Sequence, residues 1–160
     1  MKITPSYTVD EAFAKMQAYC AYQDRCHLEV QQKLKQMRMI PQACDYIIGK
    51  LIDENFLNET RFAKNFARGK FRVKHWGRIR ITNELKQRQI STYNIKEGLK
   101  EIKDTDYFNS FHNIAEKRFK QLEKENDLNA KKRKFISYLQ YRGWESHLIF
   151  EKWNDYYNKK

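Results

Sequence analysis

Between residues 61 and 90 the chain carries ten Lys or Arg side chains and a single carboxylate, Glu84. The cations are Arg61, Lys64, Arg68, Lys70, Arg72, Lys74, Arg78, Arg80, Lys86 and Arg88. Residues 1–60 hold seven basic and eight acidic side chains, and residues 91–160 hold fifteen and eleven. Most of the net charge of +12 therefore sits mid-chain. A concentrated positive field attracts polyanions, above all a phosphate backbone. A charge run can also be a solvated helix face. Two features weigh against that here. The block has almost no acids with which to form i,i+4 salt bridges. It also interleaves Phe62, Phe66, Phe71, Trp76 and Ile79, so it belongs to a folded element and not to a disordered tail.

No second kind of chemistry shows in the sequence. Gly69-Lys70 has the look of a phosphate-loop end, but Lys64 stands where the first Gly belongs and Phe71 where the Mg²⁺-binding Ser/Thr belongs. Nucleophile-elbow and zinc-protease motifs are missing, and the adjacent Asp53 and Glu54 point in different directions on a helix. His27, His75, His112 and His147 share no ligand spacing with each other or with Cys20, Cys26 and Cys44, which predicts no metal and no cofactor. The three cysteines, an odd number without a C-x-x-C pair, read as reduced thiols on buried faces. A binding role is expected, without catalysis. No apolar run approaches a membrane span, and residues 1–10 lack the apolar stretch of a signal peptide, so the expected location is the cytoplasm.

The elements that must position the cations emerge from an internal repeat. Leu34–Met39, Leu85–Ile90 and Leu139–Trp144 each place a Leu, four mostly polar residues and a large apolar residue in register. Four residues before each Leu stand Val30, Ile81 and Phe135. Five residues after each closing apolar residue stand Cys44, Ile95 and Ile149, and nine after it Ile48, Leu99 and Trp153. These i,i+4 pairs read as helix, short turn, helix. A further helix precedes each pair, at about 9–22, 59–71 and 106–125. Thr8 with Glu11 makes a capping box, Asn58 and Ser91 suit caps, and Pro41 suits a first turn. Asp24 is expected to cap the second helix. The fold class is thus all-α: three tandem three-helix repeats, at 1–57, 58–104 and 105–160, forming an elongated, curved array. Phe62, Phe66, Phe135, Ile95 and Trp153 fall at core periodicity. Trp76, at a helix junction inside the basic block, fits either packing or a ligand-facing role.

Residues 51–63, with Phe56-Leu57-Asn58-Glu59-Thr60-Arg61-Phe62-Ala63 at their heart, together with Trp76-Gly77-Arg78-Ile79-Arg80-Ile81-Thr82-Asn83-Glu84-Leu85 and Lys86-Gln87-Arg88-Gln89-Ile90, resemble the central signature of the bacterial RecX family. In that family a phrase like F-L-N-[DE]-x-R-F-A is followed by a basic stretch, a Gly, and R-I-x-x-E-L-x-x-[KR]-x-I. The match is specific in the centre and weaker in the flanking repeats; His27-Leu28-Glu29 stands where the family often shows Ser-x-x-Glu-Leu. The resemblance implies a regulator that lies along the groove of the RecA–DNA filament. It implies inhibition of RecA ATP hydrolysis, strand exchange and co-protease activity, and so regulation of recombinational repair and the SOS response.

The expected contact set is Arg68, Lys70, Arg72, Lys74, Arg78, Arg80 and Arg88, extended by Lys131, Lys132, Arg133 and Lys134. These cannot all share one face, because on a helix from Gly77 the side chains of Arg80 and Lys86–Arg88 diverge; some are solvated bystanders. The expected partners are the RecA filament and single- or double-stranded DNA, bound weakly and electrostatically by a monomer. Two other readings stay open on the residues alone: an autonomous nucleic-acid-binding protein using helix 77–89 as a groove reader, and a scaffold for an acidic protein.

Overall fold

Capping side chains set where the helices of this computed structural model, which describes residues 5–158, begin. Thr8 Oγ1 accepts from the Glu11 N–H at 3.1 Å, Asn58 Oδ1 from Arg61 at 3.0 Å and Ser91 Oγ from Asn94 at 3.1 Å. Pro41 occupies a first turn, where its missing N–H costs nothing. Nine α-helices result among the described residues: α1 Val9–Tyr22, α2 His27–Gln36, α3 Pro41–Asp53, α4 Glu59–Lys74, α5 Arg78–Gln87, α6 Thr92–Leu99, α7 Asp104–Gln121, α8 Leu128–Tyr141 and α9 Ser146–Asn158.

Three expectations are corrected. Asp24 does not cap α2: the residue before that helix is Cys26, which makes no side-chain cap bond. Asp24 lies two residues too early, and its carboxylate turns instead to Arg61, at 3.0 Å, and to Asn65 of α4. Helix α4 runs on to Lys74, since no breaker precedes His75-Trp76-Gly77 and the basic last turn suits the negative helix end. Helix α7 stops at Gln121, short of 125; Glu123 and Glu125 would oppose its C-terminal dipole, and Glu125 pairs with Lys134 instead.

The recurrent Leu-x₄-apolar phrase has a definite backbone cause. In each unit the closing apolar residue donates its N–H to the carbonyl of the Leu five positions back: Met39 to Leu34 at 3.1 Å, Ile90 to Leu85 at 3.1 Å, Trp144 to Leu139 at 3.2 Å. The residue between turns left-handed, Arg38 at φ 61°, Gln89 at φ 58° and Gly143 at φ 91°. Its own N–H bonds to Lys35, Lys86 or Gln140. This is a Schellman C-terminus used three times, with the apolar pair closing over it. The columns expected to pack do so: Val30, Ile81, Phe135 and the three leucines are fully buried, while Met39, Ile48 and Leu99 are half-buried.

The three units do not pack equally. Repeat one keeps a separate core around Met16, Val30, Leu34, Ile47 and Leu51. Repeats two and three share one core. Within it Phe71 of α4 stacks on Tyr107 of α7 at 6.0 Å, and Tyr107 meets Trp144 at 4.6 Å. The accessible surface is 10545 Å², against about 8,500 Å² for a compact monomer of 19.5 kDa, as an elongated array requires.

Candidate nucleic-acid interface

Helix α4 divides its faces by spacing. Phe62, Ala63, Ala67 and Phe71 turn inward. Small residues let α6 approach closely: a Cβ on Gly98 would stand 2.7 Å from the Ala63 carbonyl oxygen. The helix ends at His75, in the left-handed region at φ 56°. There the chain meets repeat three backbone to backbone. Gly77 donates its N–H to the Arg142 carbonyl at 2.8 Å, and Ile79 donates to the Gly143 carbonyl at 3.1 Å. A Cβ on Gly77 would lie 2.3 Å from the Gly143 oxygen, so glycine is required at this crossing. Tyr107, fully buried, seals the junction. Its hydroxyl accepts from the Arg78 N–H at 3.0 Å and donates to the Glu145 carboxylate at 2.6 Å. Burial, reinforced by Glu145, pushes the Tyr107 phenol far above its ordinary range.

Many of the expected phosphate contacts are engaged inside the molecule, within repeat two or at this junction. Arg68 donates to Glu101 at 2.8 Å, and that bond holds the Glu101 carboxyl below its usual range. Arg78 pairs with Asp104 at 2.6 Å and lies 4.0 Å over the Tyr107 ring. Arg80 is sandwiched between Trp76 and Tyr141, at 4.1 and 4.7 Å, and donates to the Tyr141 carbonyl. Arg88 binds Glu84 at 2.9 Å and covers Phe66. Lys70 hovers over Phe66 and Trp76. Trp76 itself is half-buried with its edge against Phe66, which favours the packing reading.

In repeat three Lys131 sits over Phe119, Lys132 lies 6.0 Å from Phe150 and Lys134 pairs with Glu125. Arg72, Lys74, Lys132 and Arg133 are exposed without a carboxylate within 4 Å among the described residues.

Around Arg72 the structure gathers residues that the sequence reading did not select. A cleft of about 550 Å³ opens between the end of α4, one face of α7 and the end of α8. Arg72 of α4 and His75 at its C-cap edge it on one side; Asn109, Asn113 and Lys117 come from α7, Tyr138 from α8 and Arg142 from the α8 C-cap. The signal was available, since Asn109, Asn113 and Lys117 repeat at i,i+4 and so do Tyr138 and Arg142. Concentration on cationic density passed over neutral amides. Lys131, Lys132, Arg133 and Lys134 do not line this cleft.

Comparison with known proteins places this geometry. The family model for the second three-helix domain of RecX matches residues 58–99, and that for the third matches residues 104–153. The regulatory protein RecX of Chlorobium phaeobacteroides is 30% identical over 125 residues, covering 77% of this chain and 78% of that protein. The chain belongs to the RecX family. RecX of Lactobacillus johnsonii is 29% identical over 106 residues, which is 66% of this chain and 39% of the relative, so the chain spans well under half of that longer RecX. In fold, the crystal structure of RecX from Lactobacillus salivarius superposes with a TM-score of 0.79 over 92% of this chain and 95% of that one, at 21% identity. The curated RecX relatives are named as regulatory proteins. No described helix is long and apolar enough to cross a membrane.

Proposed function

We propose that this chain binds RecA–DNA filaments and restrains RecA, lowering its ATP hydrolysis, strand exchange and co-protease activity and so moderating recombinational repair and the SOS response. The observation that carries this reading is the membership of its second and third repeats in the RecX family. The shared core beneath those repeats supports it, because an elongated rigid body suits a helical groove. Arg72, Lys74, Lys132 and Arg133 lead the phosphate contacts, being exposed and free of carboxylates within 4 Å among the described residues. Lys70, Arg80 and Lys131 are restrained by aromatic rings. Arg68, Arg78, Arg88 and Lys134 first have to give up a carboxylate, and they contribute less. The engagement of Arg78, Arg80 and Arg88 within the molecule weighs against α5 as an autonomous groove reader.

The deciding experiment is RecA-dependent ATP hydrolysis on single-stranded DNA, titrated with this protein. Hydrolysis should fall progressively. Hydrolysis unchanged at stoichiometric excess over RecA would remove the reading.

A further inference from the structure

The cleft between α4, α7 and α8 is more than a gap in a basic surface. Its floor is apolar, made by Phe71 and Ile114, which are nearly buried, and by half-buried Tyr138. Two guanidinium groups, Arg118 and Arg142, each lie 4.6 Å from the Tyr138 ring. Arg142 is held further by its bond to the Lys74 carbonyl at 3.1 Å. Arg72 and Lys117 stand at the walls without a carboxylate within 4 Å among the described residues. Asn109 and Asn113, one turn apart on α7, present both a donor and an acceptor to the same space. Asp106 supplies the one negative group, at the start of the α7 face.

Amides can donate to phosphates as cations do, but a patch meant only for phosphates needs no apolar floor. An apolar floor, a pair of primary amides and flanking cations together match a flat heterocycle that carries a phosphate. The volume is in the range of pockets that hold a small molecule. A duplex offers no free base to such a recess. We infer that the cleft seats one unpaired nucleotide unit, its phosphate on Arg72 and Lys117 and its base against the floor with the edge facing Asn109 and Asn113. This deepens the proposed function and rests on it only for biological context. The unit can come from a DNA single strand or from a free nucleotide.

The test uses the whole chain without RecA. Side-chain amide resonances of Asn109 and Asn113 are followed by NMR during titration with deoxyadenosine monophosphate, with an unstructured single-stranded oligonucleotide and with the matching duplex. Shifts with the single strand alone support the cleft with a strand as its source. Shifts with the monophosphate support it with a free nucleotide as a source. No shift with either, or equal shifts with the duplex, overturns it.

The N109A/N113A variant removes no charge and puts a better helix former at two exposed positions, so its circular dichroism should be unchanged. Its affinity for whichever ligand shifts the resonances should fall by about tenfold, the scale of losing amide bonds to a base edge. Duplex affinity should stay within about twofold, since phosphate contacts are untouched. Unchanged affinity for that ligand also overturns the inference. RecA ATP hydrolysis, assayed in parallel with the parent protein, keeps the two readings apart: failure to inhibit RecA sinks the filament reading and leaves the cleft to be judged on nucleotide binding.

Discussion

Arginine at the surface of this protein does two different jobs, and the partner decides which. Arg78 is tied to Asp104 and laid on Tyr107, whereas Arg72, six residues earlier in the last turn of α4, meets no carboxylate among the described residues. Reversing Arg72 and Lys74 together to Glu should leave helical circular dichroism intact and abolish inhibition of RecA ATP hydrolysis. Arg78→Glu should instead lower stability by about 1–2 kcal/mol, through lost ring stacking and repulsion from Asp104. If the double variant inhibits RecA like the parent at physiological salt, Arg72 and Lys74 are solvated bystanders. Net charge was legible in the sequence, but its division was not, because Glu101 and Asp104 lie far along the chain from Arg68 and Arg78, which they neutralise. The cysteines make a second residue-scale case. Burial raises the thiols of Cys20 and Cys44 and pushes Cys26 up to about 11, so all three are protonated near neutral pH. Because the thiolate is the reactive species, a thiol-specific reagent should label the folded protein far more slowly than the urea-unfolded one. Equal rates would place at least one thiol at the surface.

The helix-turn-helix hairpins carry most of what sequence reading recovered, for a physical reason: local hydrogen bonding and side-chain period fix them together. Leu85 and Ile90 stand five residues apart because a Schellman turn needs the N–H of one on the carbonyl of the other, with an apolar contact between them. The left-handed residue in that turn is Gln89, at φ 58°. A β-carbon there costs about 1–2 kcal/mol, offset in part by the added freedom glycine has when unfolded. Gln89→Gly should therefore stabilise the protein by about 0.5–1 kcal/mol in urea melts. No gain would mean that the Gln89 side chain makes an interaction worth as much as the strain. The crossing of repeats two and three was not legible. Gly77 and Gly143 look like ordinary turn glycines, yet Gly77 faces the backbone of Gly143, and Gly143 faces Arg80, across more than sixty residues. Gly77→Ala has no flexible neighbour to push aside and should cost about 3 kcal/mol, at the upper end of overpacking. It should also weaken RecA inhibition by misaligning the two basic repeats. Full stability in this variant would show that the crossing can open without loss.

At the scale of the whole molecule the sequence suggested three equivalent units, and the structure separates them into one and two. Among its described residues repeat one has no buried aromatic ring in its core; Tyr7, Phe13, Tyr19 and Phe56 pack at its margin. The joined repeats bury Phe71, Tyr107, Phe111, Phe135, Trp144 and Trp153 in one body. A repeating column cannot reveal this, because the residues that fuse the cores, Phe71 and Tyr107, lie in the first helix of each unit, outside the column. Repeat one is fastened mainly by polar contacts. Arg61 donates to Asp24 at 3.0 Å and to the carbonyls of Asn55 and Phe56 at 3.2 Å, and His27 meets Glu59 at 2.7 Å. Among the described residues of repeat one, only Cys26 and Leu28 reach into the second core. Apolar burial contributes about 25 cal/mol per Å², while a partly exposed ion pair contributes about 0–1 kcal/mol, so the seam is the weaker joint. Opening in such arrays follows the weakest interface and the smallest core. Hydrogen exchange read by mass spectrometry should therefore show α1 to α3 opening at lower free energy than α5 and α8, with Ile47 exchanging before Ile81 and Leu139. Arg61→Ala should widen that gap by removing the seam's most connected side chain, with little change in α8. Uniform protection across all nine helices would mean that the polar seam transmits cooperativity as well as the shared core does, and that the three repeats unfold as a single body.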